Sequence, residues 1–210
     1  MITKRIQEKG ILAKLLEQGI RILLVKECKK ISNIKIDIIS SSTQIIKGEI
    51  KKITIIAKDI NYKDLLFDKF ELEANNLKMN FKLTNKELYF INNPIIKFNI
   101  SLSPNSLRIV LLSDNWNWIG QRIAKEMLNK DKLDDVKVKA DQILIKASNK
   151  TKSENVEEKI IIKALNGNLY LENKDCNKSF QIPIEDKVFI KNIMIQNNVI
   201  IISAKSSVSF

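Results

Sequence analysis

Between Ile11 and Val25 the polar side chains are Lys14, Glu17, Gln18 and Arg21. They fall at i, i+3, i+4 and i+7, which is one narrow stripe of a helix. Ile11, Leu12, Leu15, Leu16, Ile20, Ile22, Leu23 and Leu24 cover well over half of the circumference. A surface helix ordinarily shows an apolar arc of about 100° or somewhat more. The pattern predicts a first helix from about Thr3 to Lys30, embraced on several sides by a curved sheet or by lipid.

From Ile34 the period changes to two. Ile34-Lys-Ile36-Asp-Ile38 alternates, as does Ile96-Lys-Phe98-Asn-Ile100-Ser-Leu102, so strands are predicted over 34–102. Asn166-Gly167, between Ile160–Leu165 and Leu169–Leu171, is a strong two-residue hairpin signal; Asn197-Asn198 is a weaker one. Strands are predicted again over 136–210, and hairpins imply antiparallel pairing.

One pattern recurs in Ile53–Tyr62, Phe70–Met79 and Val136–Ile145: apolar residues at 1 and 3, Ala at 5, apolar residues at 8 and 10. The step from 5 to 8 breaks the period of two. A bulge or kink at Lys58-Asp59, Asn75-Asn76 and Asp141-Gln142 would keep the apolar side chains on one face while each strand bends. Chance alternation in an Ile- and Lys-rich chain is the competing account.

A second helical region is predicted over 103–130. Ser103 is a favoured N-cap and Pro104 suits the first helical position. The region breaks at Ser113-Asp114-Asn115 and resumes to about Asn129. There Trp116, Ile119, Ile123 and Met127 share a stripe, while Trp118 lies with Asp114, Gln121 and Lys125. A Trp on a polar face is covered by a loop or placed at a membrane interface. Asn149–Glu157 is polar and reads as a mobile hairpin loop, too short to separate domains, so 1–210 is read as one domain.

The chain has 210 residues, 44% of them hydrophobic, enough for a real core. Its formal net charge is +12 with no histidine. That balance favours anionic partners, although Lys, Ile and Asn dominate together, as an AT-rich coding sequence produces whatever the function. Arginine is scarce (Arg5, Arg21, Arg108, Arg122), whereas nucleic-acid readers use Arg for bidentate contacts. Without His there is no Ser-His-Asp triad, no Cys-His pair and no His-ligated metal. The five scattered glycines build no phosphate-cradling loop. Cys28 and Cys176 have no metal-ligand spacing and read as free thiols. No catalytic activity, cofactor or metal is expected. No secretory leader and no membrane span is visible, which predicts a cytoplasmic protein with peripheral membrane contact.

The stretch Gly48-Glu-Ile-Lys-Lys-Ile53 through Tyr62, then Phe67-Asp-Lys-Phe70-Glu-Leu-Glu-Ala74 with Leu77, resembles the LmeA-like phospholipid-binding proteins of bacteria. The likeness continues in Ile100-Ser-Leu102-Ser103-Pro-Asn-Ser-Leu107 and Ser113-Asp-Asn-Trp116, and so spans most of 34–145. It implies phospholipid binding and a fold similar to the tubular lipid-binding domains, in which a twisted sheet wraps a long helix. The expected fold is thus α+β: a strongly twisted antiparallel sheet, a half barrel, around a long N-terminal helix, with a second helix in mid-chain.

Candidate groove residues follow from the apolar stripes and alternation: Leu12, Leu16, Ile20, Leu23, Leu24, Ile55, Leu72, Phe81, Phe98, Ile109, Leu112 and Trp116. Trp118 and Lys125 are candidate membrane contacts. The expected partners are phospholipid or a fatty-acyl lipid and an anionic membrane surface. A nucleic-acid-binding module using lysine-rich faces is the alternative, but Tyr62, Phe81, Phe90 and Phe98 sit at alternating apolar positions, which suits core packing better than base stacking. The same Ile and Leu residues serve an open groove or a filled scaffold equally well.

Overall fold

The computed structural model describes residues 10–82, 87–140, 142–149, 155–173, 175 and 177–207. A helix, α1 (Ile11–Glu27), leads into β1 (Lys30–Ile39), the short α2 (Ser42–Ile46), β2 (Glu49–Tyr62), β3 (Leu65–Lys82), β4 (Glu87–Phe90) and β5 (Ile95–Leu102). Two helices follow, α3 (Pro104–Leu112) and α4 (Asn117–Leu128). The chain then runs through β6 (Lys132–Lys139), β7 (Gln142–Ser148), β8 (Val156–Leu165), β9 (Asn168–Asn173), β10 (Lys178–Ile182), β11 (Val188–Gln196) and β12 (Val199–Ser207). The class is α+β with antiparallel pairing. There are two open sheets rather than one half barrel: the first in the order β1-β2-β3-β5-β12-β11, with β4 continuing beside β3, and the second in the order β10-β9-β8-β7-β6.

Tight turns set the register. Asn166-Gly167 and Asn197-Asn198 both have positive φ at both residues, as a two-residue turn between right-twisted strands requires. Lys63-Asp64 does the same between β2 and β3, a hairpin with no Asn-Gly signal; the Asn61 side chain stabilises it by accepting from the Asp64 N–H. β7 and β8 pair as the hairpin expected across 149–157, whose residues 150–154 lie outside the described chain.

The recurring break in alternation has two structural meanings. Asp59 and Asn76 both take positive φ, and burial switches phase there: Ala57 and Ile60 are buried on either side of exposed Lys58-Asp59, Ala74 and Leu77 on either side of exposed Asn75-Asn76. The β2–β3 register runs through both points without a shift, so the paired strands turn together. At the first break β1 joins in, with a register irregularity at Ser32 and positive φ at Asn33. A crease therefore crosses neighbouring strands, as a bend in a sheet needs. The third occurrence is a correction. Lys139 pairs with Gln142, and Ala140 is an exposed turn residue with positive φ, so the chain reverses there instead of bending; Asp141 is outside the described residues. Apolar residues at both ends of a short polar interval satisfy a tight hairpin as well as a kinked strand.

The first helix also departs from expectation. The described helix starts at Ile11, and residues 3–9 of the expected span lie outside the described chain. It is not embraced. It packs on β1, burying Ala13 fully and Leu16, Ile20 and Leu24 in part, while Ile11, Leu15, Ile22, Leu23 and Val25 are exposed. The wide apolar arc serves two opposite faces, of which the sheet covers one.

The mid-chain region is two helices. Ser103 caps α3, its hydroxyl accepting from the Ser106 N–H with Pro104 in the first turn, and the chain breaks at Ser113 as predicted. α4 ends at Asn129 in the left-handed conformation. Val110 and Leu111 of α3, and Ile123, Ala124, Met127 and Leu128 of α4, are buried. Most of these join Val136, Ile145, Ile160 and Leu171 of the second sheet in one core. Gly120 lets the two helices meet: a Cβ there would come within 2.5 Å of the Leu111 carbonyl oxygen.

Candidate functional site

Residues directly opposite one another on paired strands share a face. Following the pairs across the first sheet gives one apolar row: Ile36, Ile55, Leu72, Phe98, Ala204, Ile190. A parallel row holds Ala57, Phe70, Ile100, Ile202 and Ile193, and another Ile38, Ile53, Ala74 and Ile96. The opposite face is polar, with Lys52, Glu73 and Lys97 at the intervening positions and a Lys52–Glu73 ion pair at 2.6 Å. Lys52 and Asn75 hydrogen bonds hold the Glu73 carboxyl below its ordinary value.

Coverage of the apolar face is uneven. At one end α1 lies over β1, so Ile36 and Ile38 are buried. At the other end the second sheet packs on β11, burying Ala204 and Ile190 against Leu169. Between these covers Ile53, Ala57 and Ala74 are buried, while Ile55, Phe70, Leu72, Ile96, Phe98 and Ile100 are only half-buried. The Phe70 and Phe98 rings stack with centroids 6.3 Å apart. Three adjacent strands contribute, so the floor is roughly 10 Å wide and, from Ile96 to Ile100, about 14 Å long at ordinary strand dimensions.

The walls are held by polar contacts at the edges. The Glu17 carboxylate accepts from the Ile38 N–H at 2.8 Å on the outermost strand. The polar stripe of α1 therefore overhangs the free edge of the sheet, and the flank with Leu12, Leu16 and Leu23 turns toward the middle. At the Phe70 end, Asp68 accepts from the Ser103 N–H and from both the Ser103 and Ser106 hydroxyls, tying the start of α3 to β3. At the tip of β2–β3, Asp64 accepts from Lys29 at 2.6 Å and from Asn115, and the Trp116 indole N–H donates to the Lys63 carbonyl at 2.8 Å. The Lys29 hydrogen bond, with Asn115, holds the Asp64 carboxyl below its ordinary value. Desolvation raises the half-buried Cys28 thiol, with Glu27 adding to the shift.

The sequence candidates divide accordingly. Ile55, Leu72 and Phe98 lie side by side in the floor, and Leu16, Ile20 and Leu24 pack beneath α1 against the same cluster. Leu12 is half-buried, and Leu23 is 60% exposed. Three residues are not brought to the floor. Ile109 is exposed on α3, Leu112 packs against the core of the second sheet, and Trp116 latches the β2–β3 turn. Helical periodicity placed them on an apolar stripe without saying which layer that stripe would meet. The Phe81 side chain lies outside what the structure describes. Phe70, Ile96 and Ile100 are floor residues that the candidate set omits, although the alternation that marked Leu72 and Phe98 runs through them.

Trp118 is partly exposed, at 42%, and, with Gln121, Arg122, Lys125, Asn129, Lys130 and Asp131, lines a surface depression of about 420 Å³. The Arg122 guanidinium stands over the Phe180 ring at 5.3 Å. Among the described residues, no helix is long and apolar enough to cross a membrane and no group of three or more ligating side chains could hold a metal ion.

The floor carries no titratable group. Chemically it offers an aliphatic and aromatic strip, incompletely buried, on a face whose two ends are covered. Comparison with protein-family models, with curated proteins and with solved structures finds no match to this chain.

Proposed function

We propose that the protein binds phospholipid or another acyl lipid along the half-open floor and works, without catalysis, at the surface of an anionic membrane. One observation carries the reading: the row Ile36–Ile55–Leu72–Phe98–Ala204–Ile190 is buried at both ends and less completely buried in its middle. A filled scaffold would bury the centre of such a row best. An acyl chain laid over the centre gains about 0.8 kcal/mol for each methylene removed from water. The net charge of +12 favours approach to anionic headgroups. Trp118 and Lys125, side by side at one depression, are the proposed interfacial contacts of α4. The resemblance of Gly48–Tyr62 and Phe67–Leu77 to LmeA-like phospholipid-binding proteins points the same way.

Native mass spectrometry of the purified protein is expected to show co-purifying lipid. A fluorescent fatty-acyl probe should bind the delipidated protein and be displaced by phospholipid. Leu72→Asp combined with Phe98→Asp should weaken probe binding at least tenfold with the fold retained. Absence of both bound lipid and probe binding would overturn the proposal. Binding of single-stranded nucleic acid at moderate salt, abolished by Trp118→Ala with Lys125→Ala, would replace it with a nucleic-acid module.

A further inference from the structure

α1 has a second apolar face. Ile11, Leu15, Ile22 and Val25 fall at i, i+4, i+11 and i+14, with Gln18 at i+7, so they form one line along the helix. Their exposures run from 54% to 77%, on the side opposite buried Ala13. The line extends about 21 Å at 1.5 Å per residue. Its surroundings are cationic. Lys14, Arg21 and Lys26 stand on the same helix, and of its two carboxylates Glu17 is engaged by the Ile38 N–H at 2.8 Å.

We infer that this crest is a membrane-docking surface, and that its occupant is the headgroup–acyl boundary of a bilayer rich in anionic phospholipid. The inference rests on the lipid-binding reading and says how lipid reaches the floor. Two features select the occupant. The first is charge: an apolar line bordered by lysine and arginine suits a helix lying in the plane of an anionic interface, whereas a second copy would bring together two such cationic borders on chains of charge +12. The second is continuity. α1 and the floor are on the same face of the first sheet, and Leu16, on the helix flank that also carries Leu12 and Leu23, packs in one cluster with Ile55 and Leu72. A bilayer seated on the crest therefore faces the open side of the floor. The crest inserts to a depth of about 5–10 Å, as interfacial helices do, and an acyl chain moves from the lipid layer past Leu23 and Leu12 onto Leu72 and Phe98 without crossing water.

The test uses the full chain and vesicles of phosphatidylcholine alone or mixed with phosphatidylglycerol. Leu15→Gln combined with Ile22→Gln alters only exposed positions, and thermal unfolding serves as the control for folding. The expected result is partitioning to the anionic vesicles at least tenfold weaker than wild type, with unchanged binding of a short-chain phospholipid kept below its micelle concentration. The Leu72→Asp, Phe98→Asp protein should behave in the opposite way, losing the soluble lipid and keeping the vesicle. Failure of soluble lipid binding in wild type counts against the lipid-binding reading itself, and unchanged vesicle partitioning of the Leu15, Ile22 variant overturns the docking surface alone. A concentration-dependent dimer of wild type that the same variant abolishes would also overturn it, by assigning the crest to a second copy.

Discussion

Leu72 and Ala74 lie two residues apart on β3, facing the same way, and the half-open floor requires them to respond oppositely to enlargement. Ala74 is 1% exposed, with Ile53 and Ile96 directly across from it on the flanking strands. Ala74→Leu drives three more carbons into filled space, and overpacking of that kind costs about 1–3 kcal/mol. For a chain of 210 residues, each kcal/mol moves the melting temperature by roughly 2–4 °C, so a fall of about 2–12 °C is expected. Leu72→Trp adds more atoms, but toward the open side. Its indole can lie over Phe98 and Ile55, and the expected change is under about 1 kcal/mol, within roughly 2–4 °C. The same ring fills the floor and should abolish binding of an acyl probe. Thermal unfolding by circular dichroism, with a probe titration on each protein, reads both quantities. If Leu72→Trp destabilises as much as Ala74→Leu, the centre of the sheet is a filled core and the argument from its incomplete burial fails.

Three further outcomes follow from the geometry. Asn76 turns the paired strands with a φ of 53°; Asn76→Val should cost roughly 1–2 kcal/mol by the left-handed backbone penalty and Asn76→Gly much less, measured by denaturant unfolding. Trp116→Phe removes the indole bond to the Lys63 carbonyl and should cost about 0.5–1.5 kcal/mol, with hydrogen exchange faster at residues 61–66 than elsewhere in the first sheet. Asp64 and Asp135 are held below their ordinary value of 3.8, by Lys29 and Arg108 hydrogen bonds first. Depressed carboxylates contribute stability that is present above that ordinary value and lost as pH falls through the depressed ones. Melting temperatures measured downward from about pH 6 should therefore fall less steeply below about pH 4 for Asp64→Asn combined with Asp135→Asn than for wild type; parallel curves would refute the assignment.

Local chemistry decided much of this molecule before any tertiary contact. The alternation in Ile34–Ile38 and Ile96–Leu102 named the apolar face of the first sheet, because side chains two apart on a strand must share a side. Asn166-Gly167 and Asn197-Asn198 marked their turns because both tolerate positive φ. Ser103-Pro104 marked the start of α3, and the polar pairs at Lys58-Asp59 and Asn75-Asn76 marked real creases. Three matters belonged to the tertiary structure. The pairing of β5 with β12 joins strands far apart in the chain, and no local signal specifies it. Ala140 belongs to a reversal because Val138 and Ile143 bury equally well across a hairpin or along a bent strand. The apolar arc of α1 could not say how many neighbours it would have, since hydrophobic burial is non-directional. The sheet reaches one side of that helix and leaves Ile11, Leu15 and Ile22 to solvent, and the incomplete burial of Ile55, Leu72 and Phe98 between α1 and the second sheet is set only once both covers are in place.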